Sequence, residues 1–149
     1  MRGIAKAAQI SAGDAATCAR FGGGKVACWG LGARGDETMS WRPKVQAISN
    51  ATQISVGQQQ FCALVAGGTV KCWGKNWSNE AVPGAGDSIA RPTKVQDVSG
   101  AVQIEAGEQS SCARLASGGL KCWGSNYFGQ LGSGGTGFST TPVTVIGLP

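Results

Sequence analysis

Short runs in which apolar and polar positions alternate dominate the pattern of this 149-residue chain. Lys25–Trp29 and Lys121–Trp123 alternate with the period of two that a half-buried strand requires. Gly22-Gly23-Gly24, Gly67-Gly68 and Gly118-Gly119 interrupt such runs, and glycine supplies the positive φ of a tight hairpin turn. The pattern predicts hairpins of short antiparallel strands.

The segments recur. Gln9-Ile10-Ser11-Ala12-Gly13 returns as Gln53-Ile54-Ser55-Val56-Gly57 and as Gln103-Ile104-Glu105-Ala106-Gly107. Cys28-Trp29-Gly30 returns as Cys72-Trp73-Gly74 and Cys122-Trp123-Gly124, and Arg42-Pro43-Lys44-Val45 has counterparts in Arg91-Pro92-Thr93-Lys94-Val95 and Thr141-Pro142-Val143-Thr144-Val145. The equivalent Cys18, Cys62 and Cys112 lie 44 and then 50 residues apart, with the shortfall between Trp29 and Pro43. Helical solenoids share this period, but proline, glycine and β-branched residues at these positions oppose helices. Four strands per unit at this spacing predict an all-β chain of three four-stranded antiparallel β-propeller blades. We read residues 1–149 as a single repeat domain with units at about 7–50, 51–100 and 101–149.

The third unit is the most specific. Its Ala101–Gly107, Cys112-Ala113-Arg114-Leu115, Gly118–Asn126, Gly129-Gln130-Leu131-Gly132 and Pro142-Val143 resemble the regulator-of-chromosome-condensation repeat. The resemblance extends from about Ala7 to Leu148, although the first two units show Leu31–Asp36 and Trp77–Ala81 in place of the Gly-Gln-Leu-Gly element. It implies a scaffold that binds proteins through its propeller loops. The nucleotide exchange of the family's founding member is not carried over. The family typically closes seven blades, whereas three would form an arc with an apolar face at each end. We expect those faces to include Ile4, Ile10, Ile104, Val145 and Ile146, and to be covered by other chains, either in a six-bladed dimer or in an open head-to-tail assembly. A piece of a longer propeller is the alternative.

The six cysteines form Cys18/Cys28, Cys62/Cys72 and Cys112/Cys122, each with nine residues between. Opposed residues of a hairpin share a constant sum of numbers, which centres the pairs on Gly23, Gly67 and Ser117, all in predicted turns. Each pair should therefore face across adjacent strands, within disulfide reach. Disulfides imply a secreted, periplasmic or cell-surface protein. Reduced buried thiols are the alternative, and zinc is disfavoured because only two ligands converge per unit.

Composition narrows the chemistry. Hydrophobic residues at 42% allow a core, and 14% charged residues is low for a globular protein. Histidine is absent, which removes histidine-based nucleophile pairs, metal sites and proton shuttles. The eight carboxylates form no repeated acid–base pair, and no phosphate-binding loop opens a helix. No enzyme activity, cofactor or metal site is expected. The net charge of +5 is spread along the chain, so no specific nucleic-acid surface is expected. No run reaches the ~18 apolar residues of a membrane span, and no signal peptide is visible.

Trp29, Trp73 and Trp123 recur once per unit and read as core between blades. Trp41, Trp77, Tyr127, Phe128 and Phe138 do not recur and read as lying in the links between third and fourth strands, where a rigid scaffold carries its binding residues. The expected partner surface is Leu31–Trp41, Lys75–Ala90 and Ser125–Thr140. Arg34-Gly35-Asp36 spells an adhesion tripeptide, and Asn50-Ala51-Thr52 and Asn76-Trp77-Ser78 spell glycosylation acceptors, but motifs this short recur by chance. These observations favour a non-enzymatic protein-binding or scaffold module, whose partners include copies of itself. A structural subunit of an extracellular assembly and a lectin-like carbohydrate binder are the alternatives.

Overall fold

The computed structural model describes residues 6–147. Twelve strands form three separate four-stranded sheets. The first contains β1 (Ala7–Ala12), β2 (Ala16–Phe21), β3 (Lys25–Leu31) and β4 (Met39–Val45). The second contains β5 (Ala51–Val56), β6 (Gln60–Val65), β7 (Thr69–Lys75) and β8 (Ser88–Lys94), and the third β9 (Ala101–Ala106), β10 (Ser110–Leu115), β11 (Leu120–Ser125) and β12 (Phe138–Thr144). Strands in each sheet run antiparallel in chain order. These are propeller blades, and they stack so that β5 contacts β1 and β2, while β9 contacts β5 and β6.

The cysteine register follows from the turns. Cys18 opposes Cys28, Cys62 opposes Cys72 and Cys112 opposes Cys122, and each pair is joined as a disulfide with Cα atoms 4.1 Å apart. The Cys-Trp-Gly signature also has a structural cause. In every blade the pairing of third and fourth strands slips between the cysteine and the glycine, so that the single tryptophan faces three residues of a bulge in the fourth strand. The glycine takes the positive φ this needs, 106° at Gly124, where a side chain would also strike the backbone of Ser110 and Glu80.

The blades are joined by a repeated amide contact. Gln9 Nε2 donates to Ile54 O at 2.8 Å, and Gln9 Oε1 accepts from Ile54 N at 2.9 Å. Gln53 makes the same two bonds to Ile104, at 2.8 and 2.9 Å. Two residues on, Ser11 Oγ accepts from Val56 N and Ser55 Oγ from Ala106 N. Each first strand is the edge of its sheet, and in β5 and β9 these outward peptide groups are satisfied by side chains of the blade before. Gly57 permits the close approach, because a Cβ there would overlap the Gly107 carbonyl and the Gln60 amide.

Burial follows this stacking. Ile54 is 2% and Ile104 1% exposed, since each lies under the preceding blade, whereas Ile10 has none before it and is 68% exposed. The expectation for Ile104 is therefore corrected: the second blade covers it. Trp73 and Trp123 are buried, but Trp29 is only half-buried, which corrects the expectation of three buried tryptophans. Its blade lacks the preceding loop that lids the others. Val145 is half-buried, Ile146 is exposed, and Ile4 lies outside the described residues.

Two outcomes follow. Gln53→Ala strands the Ile104 N–H and C=O in a dry joint and should lower unfolding free energy by about 2 kcal/mol in chemical denaturation. Replacing Cys62 and Cys72 together by alanine opens a loop of roughly eleven residues and should cost roughly 2–3 kcal/mol in the same assay.

Candidate protein-binding face

The links between third and fourth strands are built around a buried asparagine. Asn76 Nδ2 donates to the carbonyls of Val82, Ala85 and Gly86, while its Oδ1 accepts from the N–H groups of Ala81 and Val82. Asn126 holds the third blade's link in the same way, through Ser133 Oγ, Gly135 O and Leu131 N. The first blade has no such asparagine, and its link is shorter. Asn76 is buried with its amide fully engaged, so the Asn76-Trp77-Ser78 sequence is not an accessible glycosylation acceptor in the folded chain. Asn50, by contrast, is exposed, at φ 59°.

The aromatic residue after each asparagine points outward. Trp77 is 62% and Tyr127 63% exposed, at equivalent positions of successive blades, and Phe128 beside Tyr127 is 95% exposed. Lys75 Nζ sits 4.0 Å from the centre of the Trp77 ring and holds the indole flat against a cation. Trp41 and Phe138 are also exposed, but they lie in the fourth strands β4 and β12, not in the links. The strands begin several residues before the Arg-Pro and Thr-Pro elements that mark them in sequence, which corrects that placement. Trp41 instead lines an apolar cleft of about 440 Å³ with Trp29, Leu31 and Met39. Phe138 opposes Ser125 at the outer edge of the third blade.

Electrostatics distinguish the two longer links. Gln130 Oε1 accepts the Phe128 N–H at 2.9 Å, and Glu80 fills the same place in the second blade, accepting the Ser78 N–H at 2.6 Å. Burial raises the Glu80 carboxyl above the ordinary carboxylate range, opposed in part by backbone donors and the charge of Lys75. In the first link, Arg34 and Asp36 are exposed, but Gly35 is buried against Ile89 and Ala90. The Thr38 hydroxyl, with its backbone N–H, holds the Asp36 carboxyl below its ordinary value. The tripeptide is thus pinned to the second blade, not presented at a free loop tip. Among the described residues no three metal-ligating side chains gather, and no helix is long and apolar enough to cross a membrane.

The Regulator of chromosome condensation (RCC1) repeat profile matches residues 51–79 and 101–130. These two segments are similar to the RCC1 repeat. The segments cover β5–β7 with the start of the Asn76 link, and β9–β11 with the Gly129-Gln130 turn. No curated protein sequence matches the chain. Yeast RCC1 (Prp20), solved bound to Kap60, superposes with a TM-score of 0.80 at 20% identity over 95% of this chain and 37% of its own. Human WBSCR16 does so at 0.80 and 20%, over 98% of this chain and 39% of its own. The ectodomain of the receptor kinase CR4 of Physcomitrella patens matches at 0.53 and 26%, over 80% and 30%. The chain thus spans less than two fifths of the length of each of these structures. The first two establish that it shares the RCC1 propeller fold. The three blades differ from one another chiefly in the links, and Asn76 and Asn126, which shape those links, carried no signal in the sequence beyond their shared place after Trp-Gly.

Glu80→Gln should place in the second blade the residue its third-blade counterpart already has. A carboxyl raised on folding contributes stability below its unfolded pKa, and that contribution is lost as pH rises through its folded pKa. The variant should therefore be more stable than the parent at pH 7 and equal to it near pH 4, read as thermal midpoints across that range.

Proposed function

We propose that this chain is a non-enzymatic protein-binding module, a single repeat domain of three RCC1 units at about 7–50, 51–100 and 101–149, working in an oxidising compartment: secreted, periplasmic or at a cell surface. One observation carries the binding reading. Trp77 and Tyr127-Phe128 stand exposed at equivalent positions, on links fixed from below by buried asparagines. Rigid aromatic side chains lose little entropy on docking and dominate protein interfaces. Yeast RCC1, which shares the fold, is a complex with a protein, Kap60. Trp41 and Phe138 on the outer strands would extend the contact.

The compartment rests on the three hairpin disulfides, which persist in oxidising surroundings. A second reading, a structural subunit of a larger extracellular assembly, is favoured by the exposed Ile10 and half-buried Trp29 at one end of the stack. The lectin-like alternative has no polar–aromatic set shared by all three links to support it.

Alanine at Trp77 and Tyr127 together tests the binding reading. Unfolding free energy should change by less than about 0.5 kcal/mol per site, as for exposed side chains. Retention of extracellular proteins on the immobilised chain should weaken by roughly thirtyfold or more, the effect of losing a hot spot of about 2 kcal/mol. Unchanged retention, or a collapsed fold, overturns the reading.

A further inference from the structure

The two ends of the blade stack are chemically opposite halves of one joint. At the trailing face of the third blade, Gln103 holds the position from which Gln9 and Gln53 reach into the next blade. Among the described residues it reaches none: its side chain is exposed, and its Oε1 accepts from Arg114 Nε at 3.2 Å. Gly107 holds the position of Gly13 and Gly57, which press on the carbonyl of the following blade, yet a Cβ on Gly107 would meet nothing nearer than Ser110 at 3.4 Å. The cystine tells the same story: Cys18 and Cys62 are buried beneath the next blade, while Cys112 is half-buried.

The leading face of the first blade has the other half. Ile10 occupies the position of Ile54 and Ile104, whose backbone N–H and C=O take the glutamine amide, and its side chain is 68% exposed. Trp29 occupies the position of Trp123, whose Nε1 donates to Ala81 O in the preceding blade's link. It lines instead the open apolar cleft with Leu31, Met39 and Trp41.

We propose that the trailing face of the third blade docks on the leading face of the first blade of a second copy of this chain. The joint reproduces the two within the chain: Gln103 exchanges its exposed bond with Arg114 for the backbone N–H and C=O of Ile10, Gly107 meets the Gly13 carbonyl, and the Gln130-Leu131 turn lids Trp29. Glu105, where the earlier blades have serine, accepts the Ser55 hydroxyl at 3.3 Å within the chain, so it has no counterpart of the serine bond to offer without giving up that contact. A copy of the chain is the occupant argued for because the described residues carry both complementary halves of a joint that they already make twice. The contact is heterologous, so each copy keeps one free half until a ring closes or a chain ends. The proposal does not rest on the loop-face reading.

Two variants separate the halves without touching the interior. Gly107→Leu places a side chain in open space on the free chain and in the path of an incoming Gly13 carbonyl. Ile10→Glu puts a charge on the exposed leading face. Sedimentation velocity of the 149-residue chain between about 1 and 100 μM, the range in which micromolar dissociation constants are populated, should show masses of two copies or more. Each variant alone should remain monomeric with an unchanged thermal midpoint. Their equimolar mixture should form a 1:1 dimer that grows no further, since it retains one intact trailing half and one intact leading half. The Trp77 and Tyr127 double variant should associate like the parent. A parent chain that stays monomeric throughout, variants that still associate, or a mixture that stays monomeric would overturn the joint, and each leaves the loop-face reading standing.

Discussion

The structure depends on a glutamine side chain standing in for a strand. The first strand of each blade pairs with the second along one edge and turns the other to the centre of the stack, where its peptide groups would be unpaired. A primary amide carries one donor group and one acceptor, the same complement as a peptide unit, so Gln9 and Gln53 each satisfy one residue of the next strand without a backbone having to approach. An apolar side chain here would leave two buried polar groups stranded, at about 1–3 kcal/mol each. The contact also gives the stack a direction, because in both joints the earlier blade gives the amide and the later one receives it. Burial of isoleucine, cystine and tryptophan is then decided by whether a blade lies before or after.

The local features were legible in the sequence because their causes are local. Period-two alternation, glycine turns and the constant-sum rule for Cys18/Cys28 and its counterparts need only neighbouring residues, and the strands and registers follow from them. The role of the Gln-Ile-Ser run was not legible, though the run was conspicuous. Its partners lie 45 to 51 residues away in the next unit, and nothing in the spacing of one unit says where the next will sit. Ile104 was assigned to an end face because it looks like Ile10 in sequence; only the stacking order separates them. Asn76 was hidden differently, since Asn-x-Ser suggests a surface acceptor, whereas its five bonds within the link place it in the interior.

The disulfides belong to this stacking as well as to the hairpins. Cys62 Sγ lies 3.9 Å from Ser111 Oγ of the following blade, so the cystine forms part of the floor on which the next blade rests. A cross-strand bridge fixes the spacing of the second and third strands, and thereby the flatness of that floor. Each blade is small and carries few charged side chains, so the rigidity that larger domains draw from a deep core comes here from cystine, bulge and amide repeated at intervals.

The links serve two purposes that constrain each other. A link displays residues outward and, where a blade follows it, covers the tryptophan of that blade. The second link is long enough to bring Ala81 O to 3.2 Å from the Trp123 indole nitrogen, and Ser111 Oγ donates to Glu80 O beside it. The first link is the short one, which accounts for the 44-residue spacing, and Trp73 beneath it keeps a buried Nε1 with no hydrogen-bond partner among the described residues. Its ring is held instead by stacking on Phe61, with centroids 5.6 Å apart. A link can therefore vary at its outward positions, as Trp77 and Tyr127-Phe128 do, only while its inner backbone still meets the indole of the next blade. Shortening it to change the outer face leaves a polar group stranded underneath. The face that would recognise a partner and the lid that seals each joint are one segment of chain, and the buried asparagine separates the two tasks by fixing the inner half and freeing the outer.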